Sequence, residues 1–203
     1  MGRCVIYKII KKHNIYIMFF DIGANIGKWS IKNIDLTDKI ISVEGSPITF
    51  IKLKNIESNK IKTLNYVVSN SKEEYINFYH CSCDTLSTTN KEWITSDKSR
   101  FNNQPYQQIK SKVISLDKLI NIYGTPNLIK VDVEGGEYDC ISSLSKKVDI
   151  LCFEWASELN NVTIKCIDHL ENIGFTKFHI QKEDNYTYRP SKENFSSSLE
   201  IKK

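Results

Sequence analysis

Five short apolar runs, at residues 15–21, 39–44, 61–68, 128–133 and 148–155, set the limits on what this chain can fold into. Each is strand-sized and nearly continuous in its hydrophobicity, as expected of strands buried on both faces. Helical patterns fall between them. Residues 26–34 follow the first run, and Pro47 opens a second helix reaching about residue 57. Ser115 caps a third in the segment SLDKLINIYG, which Gly124 closes. Residues 137–145 and 161–172 supply two more, the latter with Ile164, Ile167 and Leu170 on one side. Alternation of this kind predicts an α/β fold, a mostly parallel Rossmann-like sheet with helices on both faces. The last two strand candidates, 175–181 and 195–201, have no good helix between them and predict an antiparallel edge.

The remaining segments are simpler. Residues 5–12 read as a short amphipathic helix, 74–80 as an edge strand, and 109–114 as extended chain. Residues 80–105, rich in Ser, Thr, Asn and Asp, read as a long loop. No repeat or linker divides the 203 residues, so one domain spanning 1–203 is expected, with 1–14 as a lead-in.

Open α/β sheets bind ligands beyond the carboxyl ends of their strands. Four of the five runs end there in an acid: Asp21 in DIGANIG, Glu44 in EGSP, Asp132 and Glu134 in DVEGGE, and Glu154 in EW; the third ends at Val68, Ser69 and Asn70. Helix capping accounts for one or two such acids but poorly for four on one edge. The first turn separates two ligand classes. A dinucleotide fingerprint begins with glycine so that backbone amides can cradle a diphosphate. Here Asp21 stands at that point, and a carboxylate ~4 Å from a phosphate costs about 4 kcal/mol at an effective dielectric of ~20. S-adenosylmethionine has no phosphate. An acid can attract its ammonium and sulfonium while the turn amides serve its carboxylate. Gly23 and Gly27 allow a tight turn, and Glu44, 23 residues after Asp21, is placed to accept both ribose hydroxyls.

DIGANIGKWS, VEGSP, SLDKLI and IKVDVEGGEYDCISSL, in that order, resemble the FkbM family of S-adenosylmethionine-dependent methyltransferases over about residues 15–155. The resemblance implies the class I methyltransferase fold and methylation of hydroxyls on sugars, glycans or small natural products. By position it places Asp21, Gly23, Asn25, Gly27 and Glu44 at the cofactor, with Ala24, Gly45 and Ser46 completing those turns. Val68 and Ser69 would flank the adenine. Asp132 and Glu134 fall on the acidic block beside the transfer site, and Asp132 is expected to reach the cofactor as well. Residues 80–105 match nothing in the family pattern, and acceptor specificity is expected there.

A hydroxyl must lose a proton during or after attack, so a general base is sought. Asp132 and Glu134 come first, Glu154 next, and His80 is a loop candidate. The competing role for Asp132 is a helix cap, and for Glu134 the orientation of the Gly135–Gly136 backbone. The three acids also offer hard ligands for magnesium, but the resemblance points to no metal-using subclass, and no metal is expected. Of three tryptophans, Trp155 and Trp93 are candidates to meet an acceptor, and Trp29 reads as core.

Composition excludes other classes. With 40% apolar and 26% charged residues the chain is not disordered. Its net charge of +4, its dispersed lysines and its three arginines disfavour nucleic acid as a partner. No run approaches the ~18 apolar residues of a membrane span, and the N-terminus lacks a signal-peptide pattern, so a cytoplasmic location is expected. Six cysteines without a CxxC read as free thiols. The alternatives to a small-molecule or glycan acceptor are a methyltransferase acting on protein or RNA and a non-catalytic module that binds S-adenosylmethionine. An NAD-dependent oxidoreductase is disfavoured by Asp21. Oligomeric state is not legible.

Overall fold

The computed structural model describes residues 16–181 and 192–202. The helix expected at 5–12 lies outside them. Five strands, β1 (Met18–Ile22), β2 (Lys39–Glu44), β3 (Ile61–Asn65), β7 (Leu128–Val131) and β8 (Ile150–Phe153), form one parallel sheet in the order β3-β2-β1-β7-β8. Alternate residues serve opposite faces. Phe20, Ile22, Ile41, Val43, Ile129 and Val131 pack against helices α4 (Leu116–Tyr123), α5 (Glu137–Ile141) and α6 (Asn160–Asn172). Phe19, Ile40, Ile61 and Leu128 face the other way, against Trp29 of α1 (Lys28–Asn33). Both faces are covered, which is why apolar residues fall on both sides of β1, β2 and β7.

Helix starts follow local chemistry. Ser46 accepts the Thr49 N–H at 3.2 Å and Pro47 takes the first position of α2 (Pro47–Leu53). Ser115 caps α4 through the Lys118 N–H at 3.1 Å. From β1 the sheet grows one way through β2 and β3, then the other way through β7 and β8. The crevice between the ends of β1 and β7 is therefore the topological switch point, where such sheets take ligands.

Three segments depart from the sequence reading. The run at 61–68 divides: β3 stays in the main sheet, while β4 (Val67–Val68) pairs with β6 (Tyr106–Ile114). β6 also pairs antiparallel with β5 (Tyr75–Cys81), giving a second sheet, β4-β6-β5, in which 74–80 supplies the edge strand expected of it. The loop expected at 80–105 contains a 3-10 turn, Asp84–Leu86, and α3 (Lys91–Thr95), whose Trp93 and Ile94 are buried with Tyr79, Cys81 and Ala156. The antiparallel edge is reduced, among the described residues, to one bridge between Phe178 and Ser196. Residues Ser198–Ile201 form helix α7 instead, because Ser197 and Glu200 make a capping box.

Cys81, Cys83, Cys140 and Cys166 are free thiols. Cys152 is disulfide-bonded, which corrects the reading of six free thiols; spacing alone does not pair distant cysteines. No helix among the described residues is long and apolar enough to cross a membrane.

Candidate functional site

The turn leaving β1 is closed upon itself. Gly23 and Ala24 both donate to the Val43 carbonyl, at 2.9 and 3.0 Å. The Asn25 N–H donates to Glu44 Oε2 at 2.9 Å, Ile26 N–H to Asn25 Oδ1 at 2.7 Å, and Gly27 N–H to the Ala24 carbonyl at 2.8 Å. All five amides are used within the protein. The expectation that they serve a ligand carboxylate is therefore not met in this conformation. Gly23 has a φ of 71°, and a Cβ there would fall on the Asp132 carbonyl oxygen, so only glycine lets β1 and β7 approach this closely.

Glu44, at the end of β2, lines the cleft and fixes both neighbouring turns, since its Oε1 also accepts the Ser46 N–H at 2.8 Å. Burial pushes its carboxyl up to about 7, against the pull of the Ser46 and Asn25 amides and of Lys130. Each oxygen of a carboxylate has two acceptor sites, so those contacts leave acceptor capacity at this position.

Across the crevice stands the acidic block. Asp132 and Glu134 line the cleft. Glu134 and Gly135 are both left-handed, with φ of 52° and 90°, and the turn they make is held from beneath by Glu137. That buried side chain accepts the Val133 and Gly135 N–H groups on Oε1 at 3.2 and 3.3 Å. The backbone-orienting role considered for Glu134 thus belongs to Glu137, whose carboxyl burial raises to about 7. Glu154, buried at the end of β8, brings a carboxylate oxygen within 4.8 Å of those of Asp132 and Glu134. Three carboxylates so placed could hold a hard divalent ion or serve as acceptors for a hydroxyl proton.

The 80–105 segment is fastened to this block. Thr88 Oγ1 donates to the Glu134 carbonyl at 2.6 Å, Asn90 Nδ2 to the Gly135 carbonyl at 3.3 Å, and Trp93 Nε1 to Glu134 Oε2 at 3.2 Å. Trp93 is 3% exposed, so it supports Glu134 and offers no open face to a ligand. Asp84, Thr85, Ser87 and Thr89 form the adjoining wall, and Tyr66, Val67, Val68 and Phe78 an apolar one.

Of the sequence-predicted residues, Gly23, Ala24, Asn25, Glu44, Gly45, Val68, Asp132 and Glu134 line the cleft together. Asp21, Gly27, Ser46, Ser69 and Glu154 are not among the lining residues. Asp21 is fully buried; its Oδ2 accepts from Ser30 Oγ at 2.7 Å, and its Oδ1 lies 2.9 Å from Lys130 Nζ. Its charge is spent on that lysine and does not face the cleft, contrary to the electrostatic role given it above. Ser46 is occupied in capping α2, and the Ser69 hydroxyl accepts the Ser71 N–H. Trp155 and Glu154 border a smaller neighbouring cavity. His80 does not line the cleft; its Nδ1 lies 3.1 Å from Ser46 Oγ and 3.4 Å from Ser87 Oγ. The sequence reading missed Lys130, for which the one available signal was a lysine inside the otherwise apolar strand LIKV.

A family model described as Methyltransferase FkbM domain matches residues 21–190. No curated protein and no solved structure matches the chain.

Proposed function

The chain belongs to the FkbM methyltransferase family, and on that premise we propose that it methylates a hydroxyl of a sugar, a glycan or a small natural product, with S-adenosylmethionine as donor. The observation that carries the donor is the closed β1 turn. Its five amides are committed internally, so a diphosphate would find no backbone cradle, while carboxylates line the cleft on both sides.

The residues fit such a donor. Glu44 keeps acceptor positions for ribose hydroxyls, Tyr66, Val67, Val68 and Phe78 give an apolar slot for a flat base, and Asp132 and Glu134 lie where a cation would be welcome. S-adenosylmethionine, when bound, supplies an electrophilic methyl on a positively charged sulfur. The protein's part is placement and proton removal. A hydroxyl held about 3–3.5 Å from that carbon and in line with the breaking bond gains most of the available acceleration. Asp132 and Glu134, with Glu154 beside them, can accept its hydrogen bond and then its proton. The wall from Asp84 to Thr89 presents hydroxyls suited to a polar acceptor and is fixed to the same turn as Glu134 through Thr88. Trp93 holds Glu134 in one orientation.

Isothermal titration with S-adenosylmethionine, S-adenosylhomocysteine and NAD tests the donor: the first two should bind in the micromolar range and NAD should not. A screen of glycosides and nucleotide sugars with labelled methyl donor tests the acceptor. Asp132→Asn and Glu134→Gln should then lower turnover far more than donor affinity; unaltered turnover in both removes them as bases.

A further inference from the structure

A lysine in the middle of a buried four-residue strand needs a reason. Lys130 is 6% exposed and flanked by Ile129 and Val131, both buried. An ammonium in such surroundings must be paired and hydrogen-bonded; it carries three N–H donors, and Asp21, at 2.9 Å, takes one of them. Nζ has others to place, and where they go matters. It donates to the Gly23 carbonyl at 2.9 Å and lies 3.4 Å from that of Ile22, and it stands 3.5 Å from Asp132 Oδ2. One group therefore ties the carbonyl side of the β1 turn to the first acid of the transfer block. The backbones agree with this bridge: the Asp132 N–H donates to the Ile22 carbonyl at 3.1 Å, and Gly23 packs directly on the Asp132 carbonyl.

We propose that Lys130 is a positioning residue that locks the Asp132 carboxylate to the Gly23 turn, so that the donor pocket and the transfer site keep one fixed offset. Its relevance to methyl transfer rests on the donor reading above; the lock itself does not. In-line transfer makes such an offset matter, because a displacement of about 1 Å can lower the rate ~100-fold.

Lys130→Met alone strands Asp21 as an uncompensated buried charge, a change that threatens folding. The test therefore uses Asp21→Asn as the reference background, in which removing the lysine leaves no orphaned partner on β1. Two readouts are compared in four proteins: D21N, D21N/K130M, D21N/D132N and the triple variant. The first is amide hydrogen exchange of residues 22–27 without ligand. The second is S-adenosylmethionine affinity by calorimetry. The lock predicts turn exchange about tenfold faster in D21N/K130M than in D21N, the size expected for a lost charge-assisted hydrogen bond, with distant strands unchanged. It also predicts about tenfold weaker donor binding, and little further effect of K130M once Asp132 is gone, because coupled residues are not additive. Turn exchange unchanged by K130M, or equal effects of K130M with and without Asp132, overturns the proposal. A parent chain that fails to bind the donor, with turn exchange still responding to Lys130, overturns the donor reading and leaves the lock standing.

Discussion

Glu137→Gln isolates the contribution of one buried acid to stability. Glu137 is 4% exposed and uses Oε1 to accept two N–H groups of the 132–136 turn. A glutamine can present its carbonyl oxygen to the same two donors without a charge. In the folded protein, burial raises the Glu137 carboxyl from 4.5 to about 7, with Asp132 adding repulsion and the accepted N–H groups opposing it. The sign follows from proton counting. Between about pH 4.5 and about 7 the folded chain holds a proton on Glu137 that the unfolded chain has released, so stability falls as pH rises through that window and levels off above it. Each pH unit is worth about 1.4 kcal/mol, so the whole interval amounts to roughly 3 kcal/mol, of which about 2–3 kcal/mol is expressed between pH 5 and pH 8. Glutamine does not titrate. Urea unfolding of both proteins at those two values should show the variant gaining about 2–3 kcal/mol on the wild type as pH is raised, whatever their difference at pH 5. Glu44 also titrates near 7 and contributes to both curves, so the comparison removes much of its share. A difference in stability that stays constant with pH would refute the argument that burial governs this carboxyl.

Glu44→Ala should weaken S-adenosylmethionine binding about tenfold or more in calorimetry, since it removes the proposed ribose acceptor and frees the Asn25 and Ser46 amides; unchanged affinity ends the ribose assignment. Gly23→Ala should lose about 3 kcal/mol or more in thermal or urea unfolding, because its Cβ meets the Asp132 backbone. Gly124→Ala meets only the flexible end of Met18, but its backbone, at φ 97° and ψ 168°, is one that essentially only glycine adopts, so it should lose about 1–3 kcal/mol from strain alone; a loss at Gly124 as large as that at Gly23 would mean that the clash with the Asp132 backbone adds nothing. A strong chelator should leave donor binding and turnover unaltered, and complete loss of turnover, restored by magnesium, would make Asp132, Glu134 and Glu154 a metal site.

What was legible in the sequence was whatever short-range pattern determines. A strand covered on both faces is mostly apolar, so β1, β2, β7 and β8 could be read directly despite Asp21, Ser42, Glu44 and Lys130, and Ser46-Pro47 announced its helix. Contacts across the fold left weaker traces. Lys130 and Gly23 are 107 residues apart, and nothing local says that a lysine in LIKV turns inward to meet a carbonyl. Trp93 and Glu134 meet across 41 residues. The identity of the acid that holds the 132–136 turn depended on the left-handed backbone at Glu134, which composition does not reveal. At 195–201 two local signals competed, and the capping box prevailed over apolar alternation.

The case against a dinucleotide began with the charge of Asp21; the donor reading proposed above rests it on another feature. Asp21 and Lys130 form a buried pair with no net charge, so Asp21 exerts little repulsion on a phosphate from there. Repulsion instead falls to Glu134 and in part to Asp132, which shares Lys130 at 3.5 Å; a like-charge pair ~4 Å apart costs roughly 4 kcal/mol at an effective dielectric of ~20, before the opposing pull of Lys28 and Lys130 on the same lining. Repulsion of that size can be offset where a loop offers several amide donors, as phosphate-binding turns do. Here Val43, Glu44, Asn25 and Ala24 already accept every N–H from Gly23 to Gly27. A diphosphate would have to break those bonds and also face the acids, whereas a cationic donor needs neither concession. On the donor reading proposed above, selectivity in this cleft depends less on the acid in the first strand than on a turn that has no donors left to give.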